Sequence, residues 1–286
     1  DTFTVVLNAG PTSDVVLSIT SGDTGEATVT SALTFTSANW NSAQTVTVTG
    51  VDDNLIDGTI TSTITVAVND GSSDNNFDPV ADQTVSATTT DNDVAGFTIV
   101  QSGGSTSVAE TGTTDTFTVV LNAQPASNVV LSISSADTGE ATVTSSLTFT
   151  SANWNSAQTV TVTGVDDNII DGTQTTTITA AVIDAISDDA FDSVANQTVS
   201  ATTTDNDVAG FTIAQSDGST SVNESGNTDT FTLVLNAQPS SDVVLSISSA
   251  DTGEATVTSL ISFTSGNWNT PQTVTVTGVN DNIIDG

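Results

Sequence analysis

The chain has 286 residues, 34 Asp and Glu, no Lys, Arg, His or Cys, and a formal net charge of −34. That balance excludes nucleic acid and anionic membrane surfaces as electrostatic partners, and it excludes disulfides, thiolate chemistry and Cys-based zinc sites. The lack of Lys also removes Lys–Asn isopeptide cross-links, and no apolar run of about 18 residues is present to span a membrane as a helix. Mean hydropathy is +0.07, and apolar residues recur with period two, so the chain reads as folded despite its acidity.

An internal repeat decides the architecture. The segment Asp1-Thr-Phe-Thr-Val-Val-Leu-Asn-Ala9 recurs 114 positions later at Asp115 and, with Leu233 in place of a Val, 114 later again at Asp229. That period matches one autonomous domain and lies far above solenoid repeats. We place boundaries at Asp93/Val94 and Asp207/Val208. Residues 1–93 then form a domain lacking its first strand, 94–207 a complete domain, and 208–286 a domain cut before its last strands. Neither end resembles a natural terminus and no signal peptide is seen, so the sequence is read as a window of something longer. No Pro- or Gly/Ser-rich linker separates the repeats, and neighbours are expected to abut.

Within 94–207 the predicted strands are Gly96 to Val100, Ser105 to Val108, Asp115 to Leu121, Val129 to Ile133, Ala141 to Phe149, Gln158 to Val165, Thr175 to Val182 and Thr198 to Thr204. Thr and Val dominate them, and both favour strands through a stiff β-branched χ1. Phe117, Val119 and Leu121 share one face; Val129, Leu131 and Ile133 share another; Val160 and Val162 join them. The expected fold is all-β, a tandem of immunoglobulin-like antiparallel β-sandwiches without the disulfide.

The strand at Thr161-Val-Thr163 ends in Gly-Val-Asp-Asp-Asn-Ile-Ile-Asp-Gly172, repeated almost letter for letter at 47–58 and 275–286. Two carboxylates roughly 5 Å apart cost about 3 kcal/mol at an effective dielectric near 20. With no basic side chain to offset them, the cation must come from solution, and an all-oxygen donor set favours Ca²⁺. An EF-hand does not fit: Ile170 falls at a ligand position, Asp171 falls at the Gly position, and helices are missing. The plainer reading, a solvated Asp/Asn turn, stands against three acidic segments per repeat.

Three motifs carry a family resemblance: Val-x-Glu-x-Gly at 108–112, Val-Asp-Asp-Asn-x-Ile-Asp-Gly at 165–172 and Asp-Asn-Asp-x-Ala-Gly at 205–210. Together they resemble the Calx-β domain of sodium–calcium exchangers, integrin β4 and repetitive bacterial surface proteins. The resemblance implies Ca²⁺ at one end of each sandwich. In the complete domain it implies Glu110, Asp137, Asp166, Asp167, Asp171, Asp205 and Asp207 as ligands. The first repeat contributes Asp23, Asp52, Asp53, Asp57, Asp91 and Asp93, and the third Glu224, Asp251, Asp281 and Asp285. Glu140 lies close enough to Asp137 to substitute for it. Asn280 replaces the counterpart of Asp166, so the third site is expected to bind fewer ions or bind them more weakly.

Trp40, Trp154 and Trp268 recur in Asn-Trp-Asn and read either as edge-closing core residues or as a sugar-stacking platform. Asn196-Gln-Thr198 and Asn223-Glu-Ser225 match glycosylation sequons. A glycosidase-like carboxylate pair is the sole catalytic option this composition leaves. The same carboxylates recur in every copy, which argues for a non-enzyme. The expected role is a Ca²⁺-binding structural segment of an extracellular or cell-surface stalk, adhesin or filament, bacterial in style, with Ca²⁺ rigidifying the junctions. Its partners would be neighbouring repeats and identical chains in a filament. The alternative is a Ca²⁺-responsive regulatory module or one that binds a ligand such as a glycan.

Overall fold

The computed structural model describes residues 1–280, and its strands group by repeat. In the middle repeat the strands are β1 (Phe97–Gln101), β2 (Thr106–Ala109), β3 (Thr114–Leu121), β4 (Val129–Ser135), β5 (Ala141–Val143), β6 (Ser146–Phe149), β7 (Gln158–Gly164), β8 (Gln174–Val182) and β9 (Gln197–Thr204). One sheet has the order β5-β7-β3-β1 and the other β6-β4-β8-β9-β2. Every pairing is antiparallel except β9 with β2, which is parallel. The fold is all-β.

Period-two patterning dictates which side chains face inward. Phe117, Val119 and Leu121 from one sheet meet Val129, Leu131 and Ile133 from the other, with Val160, Val162, Phe149 and Ile178 completing the buried core. Each fully buried side chain of this size contributes about 1.5–3 kcal/mol, so packing replaces the missing cross-links. Trp154 lies half-buried against the same core, and its carbonyl accepts the Leu121 amide at 3.1 Å, an edge-closing placement.

One predicted strand proves to be two. Ala141 to Phe149 divides at Thr144 and Ser145, so that β5 pairs with β7 in one sheet and β6 with β4 in the other. Thr144 donates its amide to the Thr161 carbonyl, while the Ser145 carbonyl accepts from the Ile133 amide. The chain thereby crosses between sheets within two residues, as sandwich corners do. Phe191, on a short 3₁₀ turn (Asp189–Phe191), is fully buried and packs into the core.

The first repeat pairs 2–5, 44–50 and 27–29 in one sheet and 32–35, 15–21, 60–68 and 83–89 in the other. In the third, 211–215, 228–235, 272–278 and 255–257 form one sheet, facing a pair made of 243–246 and 260–263. No helix among the described residues is long and apolar enough to cross a membrane.

Candidate metal centre

Strand register brings four acidic segments to one end of the middle sandwich. The parallel pairing of β2 with β9 sets Ala109 opposite Thr204, so Glu110 and Asp205 emerge side by side. The antiparallel pairing of β5 with β7 sets Ala141 opposite Gly164, so Glu140 meets the loop that carries Asp166, Asp167 and Asp171. Backbone bonds fix both meetings: the Val165 amide donates to the Glu140 carbonyl at 2.9 Å, and the Glu110 amide to the Thr204 carbonyl at 3.1 Å.

Two groups of carboxylates result. Oxygens of Glu110, Glu140 and Asp167 lie within 4.8 Å of one another, as do oxygens of Glu110, Asp205 and Asp207. Glu110 belongs to both and is only 1 % exposed. One of its oxygens accepts from the Asn206 amide at 3.1 Å. Buried oxygens of Glu140 (Oε2) and Asp207 (Oδ2) have no hydrogen-bond partner. A buried carboxylate oxygen without a partner is costly, and the cost falls when a cation takes it up.

Electrostatics tell the same story. Burial pushes the Glu110 carboxyl above its usual range, against the Asn206 donation, and the charges of Asp205, Asp167 and Asp171 add to the rise. Glu140 is raised by burial and then by Asp171, Asp167, Glu110 and Asp137. Asp207 is raised by burial and then by Asp205, Asp166, Asp167 and Asp171. Asp205 moves the other way, because amides of Asp207, Gly172 and Asp171 donate to it. It holds the late loop to the end of β9 and remains anionic.

The donor set is carboxylate throughout, hard oxygen drawn from several loops, which fits Ca²⁺ better than a transition metal. Glu110, Glu140, Asp167, Asp205 and Asp207 are the residues that would hold it. Asp171 is exposed and its amide donates to Asp205 Oδ2 at 3.1 Å; its charge adds to the rise at Glu110, Glu140 and Asp207. Asp166 is exposed and accepts from the Asn206 side chain at 2.8 Å. Asp137 is also exposed, and its Oδ1 accepts the Gly139 amide at 2.9 Å. Its neighbour Glu140 is the one placed in the three-carboxylate group.

No family model and no curated protein matches the chain. Among solved structures, domains 4 and 5 of the S-layer protein SbsC are 18 % identical over 66 % of this chain and 70 % of that chain, at a TM-score of 0.31. Domains 1–6 of the same surface layer protein are 17 % identical and reach 0.33, over 92 % of this chain and 28 % of that chain. CBD12 from CALX1.2 is 12 % identical over 65 % of this chain and 76 % of that chain, at 0.29. Likeness at this level carries no functional argument.

The first repeat repeats the acidic end. Glu26, Asp53, Asp57, Asp91 and Asp93 line a cavity of about 20 Å³, room for roughly one water-sized occupant. Asp91 accepts from the amides of Asp57, Gly58 and Asp93. Burial raises Asp93, with Asp91 and Asp52 adding; burial likewise raises Glu26, with Asp57, Asp53 and Asp23 adding. In the third repeat Glu224 and Asp251 line one open cleft with Glu254, while Asp281 and Asp285 lie outside the described residues.

Sequence reasoning missed a contact between repeats. Between Asp53 and Asp57 the loop runs against Gln124 of the following repeat. The Gln124 amide donates to the Asn54 carbonyl at 2.6 Å, and the Ile56 amide to the Gln124 carbonyl at 3.2 Å, forming a parallel bridge. Ile56 packs on the middle core. The second junction repeats it: Ile169 bridges Gln238, whose amide donates to the Asn168 carbonyl at 2.6 Å. The one visible signal is Asn-Ala-Gln-Pro at 122–125 and again at 236–239.

Proposed function

We propose that this chain is a Ca²⁺-binding structural segment of an extracellular stalk, adhesin or filament of bacterial type, in which Ca²⁺ at the end of each repeat rigidifies the junction to the next. The observation that carries this reading is the double duty of the late loop. Asp53 and Asp57 flank the three residues that bridge to Gln124, and Asp167 and Asp171 flank those that reach Gln238. A cation held by these loops fixes the backbone that grips the next repeat. Without it the carboxylates repel and the grip loosens. The two carboxylate groups sharing Glu110 would accommodate a pair of neighbouring cations.

Proposed partners are the adjoining repeats of the same chain and, in a filament, identical chains. The role is mechanical, not catalytic. Melting the chain in millimolar Ca²⁺ and in EGTA tests the reading, because a ligand bound only by the native state adds about 2.7 kcal/mol per site at 100 Kd. A marked rise in melting temperature is expected in Ca²⁺. Superimposable curves would overturn the proposal.

A further inference from the structure

Building on the Ca²⁺ reading above, we propose that Gly164 is the positioning residue that admits Glu110 to the carboxylate cluster. Gly164 is the last residue of β7 and is fully enclosed. The turn at 109–113, which carries Glu110, lies directly on it. A Cβ at 164 would overlap the Ala109 carbonyl oxygen outright and stand 2.8 Å from its carbon and 3.3 Å from the Ala109 nitrogen. These are backbone atoms, so no rotamer change relieves the overlap. The Gly164 amide donates to the Thr113 carbonyl at 3.0 Å, gripping the far end of the same turn. The turn is closed internally by the Gly112 amide on the Ala109 carbonyl, 3.1 Å, and by the Ala109 amide on Thr113 Oγ1, 2.7 Å.

The third repeat builds the same lock from other side chains. A Cβ on Gly278 would overlap the Asn223 carbonyl oxygen and stand 2.7 Å from its carbon. The Gly278 amide donates to the Asn227 carbonyl at 3.1 Å, and Asn227 Oδ1 takes the hydroxyl's place by accepting the Asn223 amide at 2.6 Å. Ala109 and Thr113 have changed to Asn223 and Asn227, while the glycine has not.

Clearing a Cβ would drive the turn back by about 1 Å, several times the roughly 0.2 Å tolerance of a metal–ligand distance. Because Glu110 is common to both carboxylate groups, that retreat removes a ligand from each. Residues that orient a ligand cost about 10–100-fold in metal affinity when lost. Calorimetric Ca²⁺ titration of the full chain tests this with G164A, E110Q and the double variant G164A/E110Q. G164A is expected to weaken the middle repeat's sites about 10–100-fold. Adding G164A to E110Q should cost little more, because the glycine acts through the glutamate. Wild-type affinity in G164A, or a full additive loss in the double variant, would overturn the positioning role while leaving the Ca²⁺ site standing. A wild-type chain that takes up no Ca²⁺ would remove both. If G164A does not fold, T113V carries the test, since it frees the Ala109 amide without a clash. Weakened binding in folded T113V supports the role, and unchanged binding overturns it.

Discussion

Replacing Glu110 by Gln should invert its effect on stability between chelator and Ca²⁺. The Glu110 carboxylate is 1 % exposed, with oxygens of four other carboxylates inside 4.8 Å in two groups. At that distance and an effective dielectric near 20, each pair costs about 3 kcal/mol. Proton uptake caps the penalty, since keeping a Glu neutral at pH 7 costs about 1.4 kcal/mol per pH unit above its ordinary pKa near 4.3. Relieving it should therefore gain about 2 kcal/mol in EGTA, or about 8 °C for a unit of this size. In saturating Ca²⁺ the wild type gains about 2.7 kcal/mol per site at 100 Kd, and the variant, short of a ligand in both groups, gains far less. Differential scanning calorimetry in the two media should show E110Q melting above the wild type in EGTA and below it in Ca²⁺. A variant that melts below the wild type by the same amount in both media would refute the reasoning.

The pH response should also change sign with Ca²⁺. Burial raises Glu110, Glu140 and Asp207, so in EGTA the native state binds more protons than the unfolded one just above the ordinary carboxylate range. Melting temperature should then rise as pH falls from 7 towards 5. Below about pH 4 it should drop, because Asp74, Asp115, Asp205 and Asp229 are held below their usual values by hydrogen bonds and lose that stabilisation on protonation. In Ca²⁺ protons compete with the ion, and acidification from pH 7 to 5 should only destabilise. D167A should weaken Ca²⁺ uptake by the middle repeat in a calorimetric titration, and unchanged affinity would take the late loop out of the site. D74A should behave oppositely: it should cost about 2–4 kcal/mol in chemical denaturation and leave Ca²⁺ affinity alone, since Asp74 already accepts from Thr12, Ser13 and Asn76.

The strands were readable because Thr-Val alternation is a local property: Phe117, Val119 and Val162 face the core by the period of their own segments. The break at Thr144 and Ser145 was less so. Ser145 stands where the alternation of Ala141, Val143, Leu147 and Phe149 asks for an apolar residue, but the change of sheet is set by Thr161 and Ile133 from other strands. The exchange of Asp137 for Glu140 has the same origin. Both residues are acidic and three apart, and only the pairing of Ala141 with Gly164 directs the second one into the cluster. The bridge at Gln124 depends on contact between repeats and leaves no trace in either loop alone, beyond the recurring Gln-Pro.

Under the proposed function, Ca²⁺ fixes the direction in which one repeat leaves the next. The chain contains no Cys, so cysteines at the exposed, equivalent positions Thr142 and Thr256 can carry a single pair of spin labels across the second junction. Pulsed dipolar spectroscopy then reads the distribution of distances between the two repeats. One narrow distribution is predicted in Ca²⁺ and a markedly broader one in EGTA, with circular dichroism showing both samples folded. Equal widths in the two media would contradict the account.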